Sequence, residues 1–371
     1  MQPYIVLYSF LIVSHYIFFL GKGKNILLSQ RQDNVLFYVY SIIILLFIAT
    51  RDISVGTDTE NYVFFFHDPQ FYYNGARTDL FFEFIGRFLL LFDRSAEFFI
   101  FATSSLCFIG IFYIINKISL CKSYSILLFA IVGSSSIFLF SYLSMIRQGI
   151  AITYFLVSVY CFFSGSRTKK TLIVSIIFYL AAVLTHGSCL FTLPFLVLLY
   201  YKRITNKKIW VYLLLITYLL AALNISFVST ILDEVFSILR DSKYRHYGGI
   251  DWGFIENKGW FNMNILPFIA VSLWVLYFST EEFIKQWYVQ LFLYSVVLNN
   301  IFFDNLMWSR LIMYFTIFII VVIPNVFSNQ NRVVQYLSYN FIYIYSLYKT
   351  FSQLLMNTSG NIIVPYSSYL F

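Results

Sequence analysis

"VLFYVYSIIILLFIATRDISVGTDTENYVFFF", residues 35–66, changes solvent halfway along. Residues 35–50 carry no charge and are mostly aliphatic and aromatic. Such a run approaches the roughly 20 apolar residues needed to cross about 30 Å of hydrocarbon. Lipid offers no hydrogen bonds, so the backbone must satisfy its own N–H and C=O groups, and a helix does so within one segment. Arg51, Asp52, Asp58 and Glu60 then follow within ten residues, with Gly56 among them. Four charges so close together mark the exit from hydrocarbon. Gly56 is read as a turn residue with positive φ, which glycine adopts at no steric cost.

The same alternation runs through all 371 residues, of which 60% are apolar and 11% charged. A soluble domain carries about 25% charged residues. Twelve apolar segments are legible, at about 4–20, 35–50, 96–116, 124–143, 146–163, 171–184, 189–201, 209–228, 263–280, 287–303, 311–327 and 336–356. The expectation is an all-α polytopic membrane protein with about 12 transmembrane helices, forming one integral membrane domain over residues 1–371. Residues 4–20 read as a span, because no basic region precedes them and no small-residue cleavage site ends them. Cys107, Cys121, Cys161 and Cys189 form no C-x-x-C pair, so neither a disulfide framework nor a zinc site is indicated.

Charge sorts the loops onto two sides. One side collects 14 Lys and Arg against Asp33, Glu281 and Glu282, a balance of +11. The other collects 10 basic and 14 acidic residues, a balance of −4. Excess Lys and Arg marks the cytoplasmic side, so both termini are expected outside. The net charge of +8 then reflects topology and anionic lipid, not nucleic acid. Loops of about 51–95 and 229–262 fall on the outer side. "TLIVSIIFYLAAVLTHGSCLFTLPFLVLLYY", residues 171–201, is too long for one span. As two arms it gives about 14 residues each, or about 21 Å of helix, short of the hydrocarbon core. A short hairpin is expected, turning at residues 185–188.

Polar residues that need an account gather on the outer side. Arg147 and Gln148 open the fifth segment, and Arg310 stands at the outer end of the segment 311–327. Each Arg either snorkels to the surface or binds a phosphate, whose oxygens its planar fork matches in pairs. His186 sits at the hairpin turn, as a packing residue or a cavity-facing base. Asp58 and Glu60 form an acid-x-acid pair that is a weak divalent-cation signal. No other metal or cofactor is indicated. Glu83 and Arg87 are spaced to pair on a surface helix. Arg245 lies in "YRHYGGIDWG", either an interface anchor or a sugar-binding surface. There is no G-x-x-x-x-G-K-[ST] loop and no G-x-S-x-G elbow.

Five pieces in order carry a resemblance: "RDISVGTDTENY", "IRQGIA", "LAAVLTHGSCLFTLP", "WSRLIMYF" and "VPYSSYLF". They resemble the EpsG family of polysaccharide-polymerisation proteins, which groups with Wzy-type O-antigen and capsule polymerases. The resemblance implies a fold similar to multi-span lipid-dependent glycosyltransferases. It implies a bacterial inner-membrane enzyme that moves a glycan from undecaprenyl diphosphate to the next lipid-linked repeat unit. A chain-length regulator and a flippase are the implied partners. Physical requirements then suggest roles. Arg147, Arg51 and Arg310 are candidates for the diphosphate, with Gln148 and Arg245 as further binding residues. Asp58, His186, Asp52 and Glu60 are candidates for the base. Tyr62 is a packing residue or a sugar platform. Two rival readings are a flippase or transporter of the same lipid-linked sugar and, more weakly, a membrane acyltransferase.

Overall fold

A computed structural model describes residues 2–20, 29–67, 80–131, 139–164, 168–223, 265–302, 306–356 and 366–369. Among these residues the regular elements are helical, apart from one isolated bridge between Arg51 and Ser368. Chain order gives α1 (Gln2–Leu20), α2 (Gln30–Ala49), α3 (Thr59–His67), α4 (Leu80–Leu89), α5 (Ala96–Ile118) and α6 (Lys122–Ile131). Then follow α7 (Leu139–Ser144), α8 (Ile146–Phe163), α9 (Lys169–Thr185), α10 (Leu193–Tyr201), α11 (Lys207–Ala222) and α12 (Leu266–Phe278). The series closes with α13 (Glu281–Ile284), α14 (Trp287–Ile301), α15 (Leu306–Thr316), α16 (Ile319–Ser328) and α17 (Arg332–Met356).

Each of the twelve apolar segments contains helix. Four stretches among the described residues are long and apolar enough to cross a membrane by themselves: Gln30–Ala49, Ala96–Ile118, Ile146–Phe163 and Leu311–Ser328. These make the chain a helical membrane protein with four candidate spans among the described residues, fewer than the twelve expected from apolar length. The expected break in the 171–201 run is present. α9 ends at Thr185, His186 turns the chain in extended backbone, and a 3₁₀ turn over Gly187–Thr192 leads into α10. Glu83 and Arg87 pair at 2.5 Å on α4.

Packing divides the chain into two units, Met1–Cys189 with Ile323–Phe371, and Leu190–Val322. In the second, the Gln290 amide donates to the carbonyls of Ile204 and Ile284 at 2.8 and 2.7 Å, and Asn300 donates to Thr217 at 3.0 Å. These bonds tie α14 to α11 and the loop before it.

The first unit is built around α8, which packs closely against α5 and α9. Small residues make the approach possible, as membrane helices require when lipid supplies no hydrophobic drive. A Cβ on Gly110 would stand 2.5 Å from Thr153 Cα, and one on Gly149 would stand 2.7 Å from Cys107 Sγ. On the other flank, the Ser158 hydroxyl donates to the Ser175 carbonyl at 2.8 Å and Ser175 returns the bond at 3.0 Å. At α2's first turn, Asp33 caps α6 from another helix: its carboxylate accepts from the Lys122 and Ser123 N–H groups and the Ser123 hydroxyl. His15 on α1 lies between Ser123 Oγ at 3.3 Å and Tyr339 Oη at 2.5 Å, joining α1, α6 and α17.

Gly110→Val should therefore separate α5 from α8. Overpacking of this kind costs about 1–3 kcal/mol. The expected outcome is a lower Tm by size-exclusion after heating in detergent; an unchanged Tm would show that the helices absorb the side chain.

Candidate functional site

The charged loop gets its shape from Gly56. This residue has φ +100°, and a Cβ there would come within 2.1 Å of the Leu143 carbonyl oxygen. The positive φ expected from sequence is present, with a close backbone approach added. Thr59 Oγ1 donates to Val55 O and Leu143 O at 2.8 and 3.1 Å, and the Thr57 N–H donates to Ser144 Oγ at 3.3 Å. The loop is thereby docked on the end of α7, three residues before Arg147. Asp58 is half-buried and precedes α3, on which Glu60 is exposed. Among the described residues no third His, Cys, Asp or Glu joins them in a metal-sized cluster.

Tyr62 connects α3 to α8. Its hydroxyl accepts from Arg147 Nε at 3.4 Å, and the guanidinium lies 5.6 Å from its ring centroid. A cation over an aromatic face is attracted by the ring quadrupole. Tyr62 also meets Phe82 of α4 edge-on at 5.5 Å. Tyr62 is thus a packing residue that also holds the Arg147 cation. Gln148 beside it is buried.

Register arithmetic sets the depths of the other polar groups. Arg147 precedes Ser158 by eleven residues, and His186 follows Ser175 by eleven. α8 and α9 run antiparallel, so both lie about 16 Å from that contact, at one level. α5 and α8 run parallel through the pairs Cys107–Gly149 and Gly110–Thr153. Ser104 precedes Gly110 by six residues, as Arg147 precedes Thr153, so Ser104 shares that level too. Seven residues past Arg147, on the same face of α8 and about 10 Å along it, Tyr154 lines a groove of about 400 Å³ with Phe81, Phe84, Phe88, Ala102 and Ile109.

Arg51 is the largest departure from the loop reading. It is fully buried, not solvated, and it does not pair with Asp58. Nη1 donates to Ile48 O at 2.6 Å and to Ser104 Oγ at 2.7 Å. Burial pulls its pKa down to about 10, against opposing effects of Cys107, Tyr366 and Tyr4, so it stays cationic at neutral pH. Asp52 is committed locally. The Ser54 hydroxyl and N–H both donate to Oδ1, and they hold its carboxyl below the usual carboxylate range. That makes it a weaker base than a free carboxylate.

Eight candidate residues fall in the first unit, Arg51, Asp52, Asp58, Glu60, Tyr62, Arg147, Gln148 and His186, and among them Tyr62 and Arg147 are in side-chain contact. Arg310 falls on α15 of the second unit, and Arg245 lies outside the described residues. Sequence reasoning missed Ser104, a hydroxyl in an apolar span, and residues 366–369, which bridge to Arg51.

Fold and site define an all-helical membrane protein whose polar residues collect at one end of its central helices. The chain belongs to the EpsG family, whose model matches residues 35–368. It is accordingly a polysaccharide-biosynthesis membrane protein of a family associated with Wzy-type polymerases. No curated protein and no solved structure matches it.

Gly56→Ala should lift the loop off Leu143. Half-buried Thr57, replaced by Cys as a reporter, should then react several-fold faster with a membrane-impermeant thiol reagent. Equal rates in the two backgrounds would show that the turn accommodates the methyl group.

Proposed function

We propose that the chain is a polysaccharide polymerase acting at the outer face of the bacterial inner membrane. It transfers a growing glycan from undecaprenyl diphosphate to a sugar hydroxyl on the next lipid-linked repeat unit. The observation that carries this reading is the stacking along α8: a cation at the helix's first turn, an apolar groove about 10 Å beneath it, and a carboxylate loop docked beside it. An anionic head on a long apolar tail fits that order. The groove takes part of the tail, Arg147 meets the diphosphate, and the sugars lie toward Asp58 and the water.

The acceptor hydroxyl oxygen attacks the anomeric carbon, and the bond from that carbon to the diphosphate oxygen breaks. The diphosphate leaves with the electron pair, and Arg147 stabilises its growing charge, an interaction stronger in the transition state than before it. The hydroxyl proton passes to the Asp58 carboxylate, with His186 level with Arg147 as the second candidate base. Asp52 is less suited, because Ser54 already occupies it. Glu60 is exposed and serves the polar surround. A chain-length regulator and a flippase are the proposed partners.

In a deletion strain complemented with variants, Arg147→Ala should reduce polymerisation about 10²–10³-fold, as loss of one charge-stabilising donor does. Asp58→Ala should reduce it about 10²–10⁴-fold. Gels of surface glycan should show single repeat units on the acceptor without the ladder. Loss of all exported units would instead indicate a flippase, and full ladders from both variants would remove the site assignment.

A further inference from the structure

Arg51 leaves one edge of its guanidinium unused. Both of its hydrogen bonds come from Nη1, to Ile48 O and Ser104 Oγ, while Nε and Nη2 are buried without a hydrogen-bond partner. Among the described residues no carboxylate lies within ion-pair distance of it. Part of its charge is balanced by the carbonyl end of α2, where a helix dipole favours a cation. The remainder is an uncompensated buried charge, which is heavily unfavourable unless something completes it. The idle pair, Nε and Nη2, is the edge of the planar fork that receives two oxygens of a phosphate at once. Through Ser104 that edge lies near the level of Arg147.

A short strap runs beside it. Residues 366–369 lie across the junction of α2 and the charged loop. The Asp52 N–H donates to Ser367 O at 2.9 Å and the Tyr369 N–H donates to Thr50 O at 3.2 Å. Ser368 Oγ donates to Thr50 O at 2.8 Å, and the Tyr366 hydroxyl to Phe47 O at 2.6 Å. The Tyr366 ring stacks on Phe47 at 4.2 Å. These contacts seat the strap on residues 47–52 and bring Tyr366 close enough for its hydroxyl and the Arg51 guanidinium to act on each other's charge.

We propose that Arg51 is a latched phosphate site. Release of residues 366–369 from residues 47–54 uncovers the guanidinium, and its Nε–Nη2 edge binds two oxygens of a phosphate or diphosphate group beside Arg147. That the physiological anion is the substrate's diphosphate rests on the polymerase reading; the site and its latch do not.

The latch can be locked. Ser54 Oγ and Ser367 Oγ are exposed and 3.3 Å apart, so Ser54→Cys with Ser367→Cys places two thiols for a disulfide. Inorganic diphosphate is the probe, titrated by calorimetry into purified full-length protein in nanodiscs. Wild type and the reduced double variant should bind it. The oxidised variant should bind at least about tenfold more weakly and recover on reduction, which also shows that it is folded. Arg51→Lys keeps the charge but lacks the fork, and should weaken binding similarly. Equal affinity in the oxidised and reduced variants would overturn the latch, and unchanged affinity in Arg51→Lys would overturn the site. Because the readout is binding, either failure is separate from a failure of the polymerase reading, which shows only in the glycan ladder.

Discussion

Close backbone contact of α8 with α5 and α9 is the constraint on which the site depends. Gly110 and Gly149 let α8 and α5 meet without intervening side chains. The serine exchange fixes α8 against α9 in one register. Once those registers are set, Arg147, His186 and Ser104 have no freedom of depth. A slip of one turn, about 5.4 Å, would carry a guanidinium away from its neighbours and into hydrocarbon. The same contacts that stabilise the unit thus align its polar end, and the small residues are as necessary to the chemistry as the charged ones.

The loop adds what helices cannot supply. A helix presents its first residues in one direction only, so Tyr62 must reach Arg147 from another element. Residues 51–59 do this with a positive-φ glycine, two threonines and the end of α7. Tyr62 then fixes the Arg147 guanidinium by its ring and its hydroxyl together. A long flexible cation held in this way loses less freedom when it meets an anion.

Much of this was legible in the chain itself because the relevant forces are local. Apolar length predicted helices, and two arms too short for a span predicted the break at His186. Gly56 in a charged turn predicted a positive φ, and four-residue spacing predicted the Glu83–Arg87 pair. Arg51 was not legible, because a charge beside acids reads as a surface residue. What buries it comes from far away: Ser104 is 53 positions along and Ser368 forms its bridge from beyond 300. The local tie on Asp52 went unread for the opposite reason. Its partner Ser54 is two residues away, and an Asx-type bond to the backbone competes with any catalytic use. The pieces after residue 366 carried a family likeness, but no periodicity or charge pattern in them announced a partner.

The strap and the His15–Tyr339 bond also bear on how the chain is made. Both join residues near the start to residues after 323, and the whole of the second unit lies between them in sequence. Helices α1, α2 and α5 are synthesised early, yet the partners of His15 and of the loop at Arg51 emerge from the ribosome hundreds of residues later. Until then His15 lacks Tyr339, and the loop at Arg51 lacks residues 366–369. Both contacts can therefore close only after the intervening unit has been synthesised.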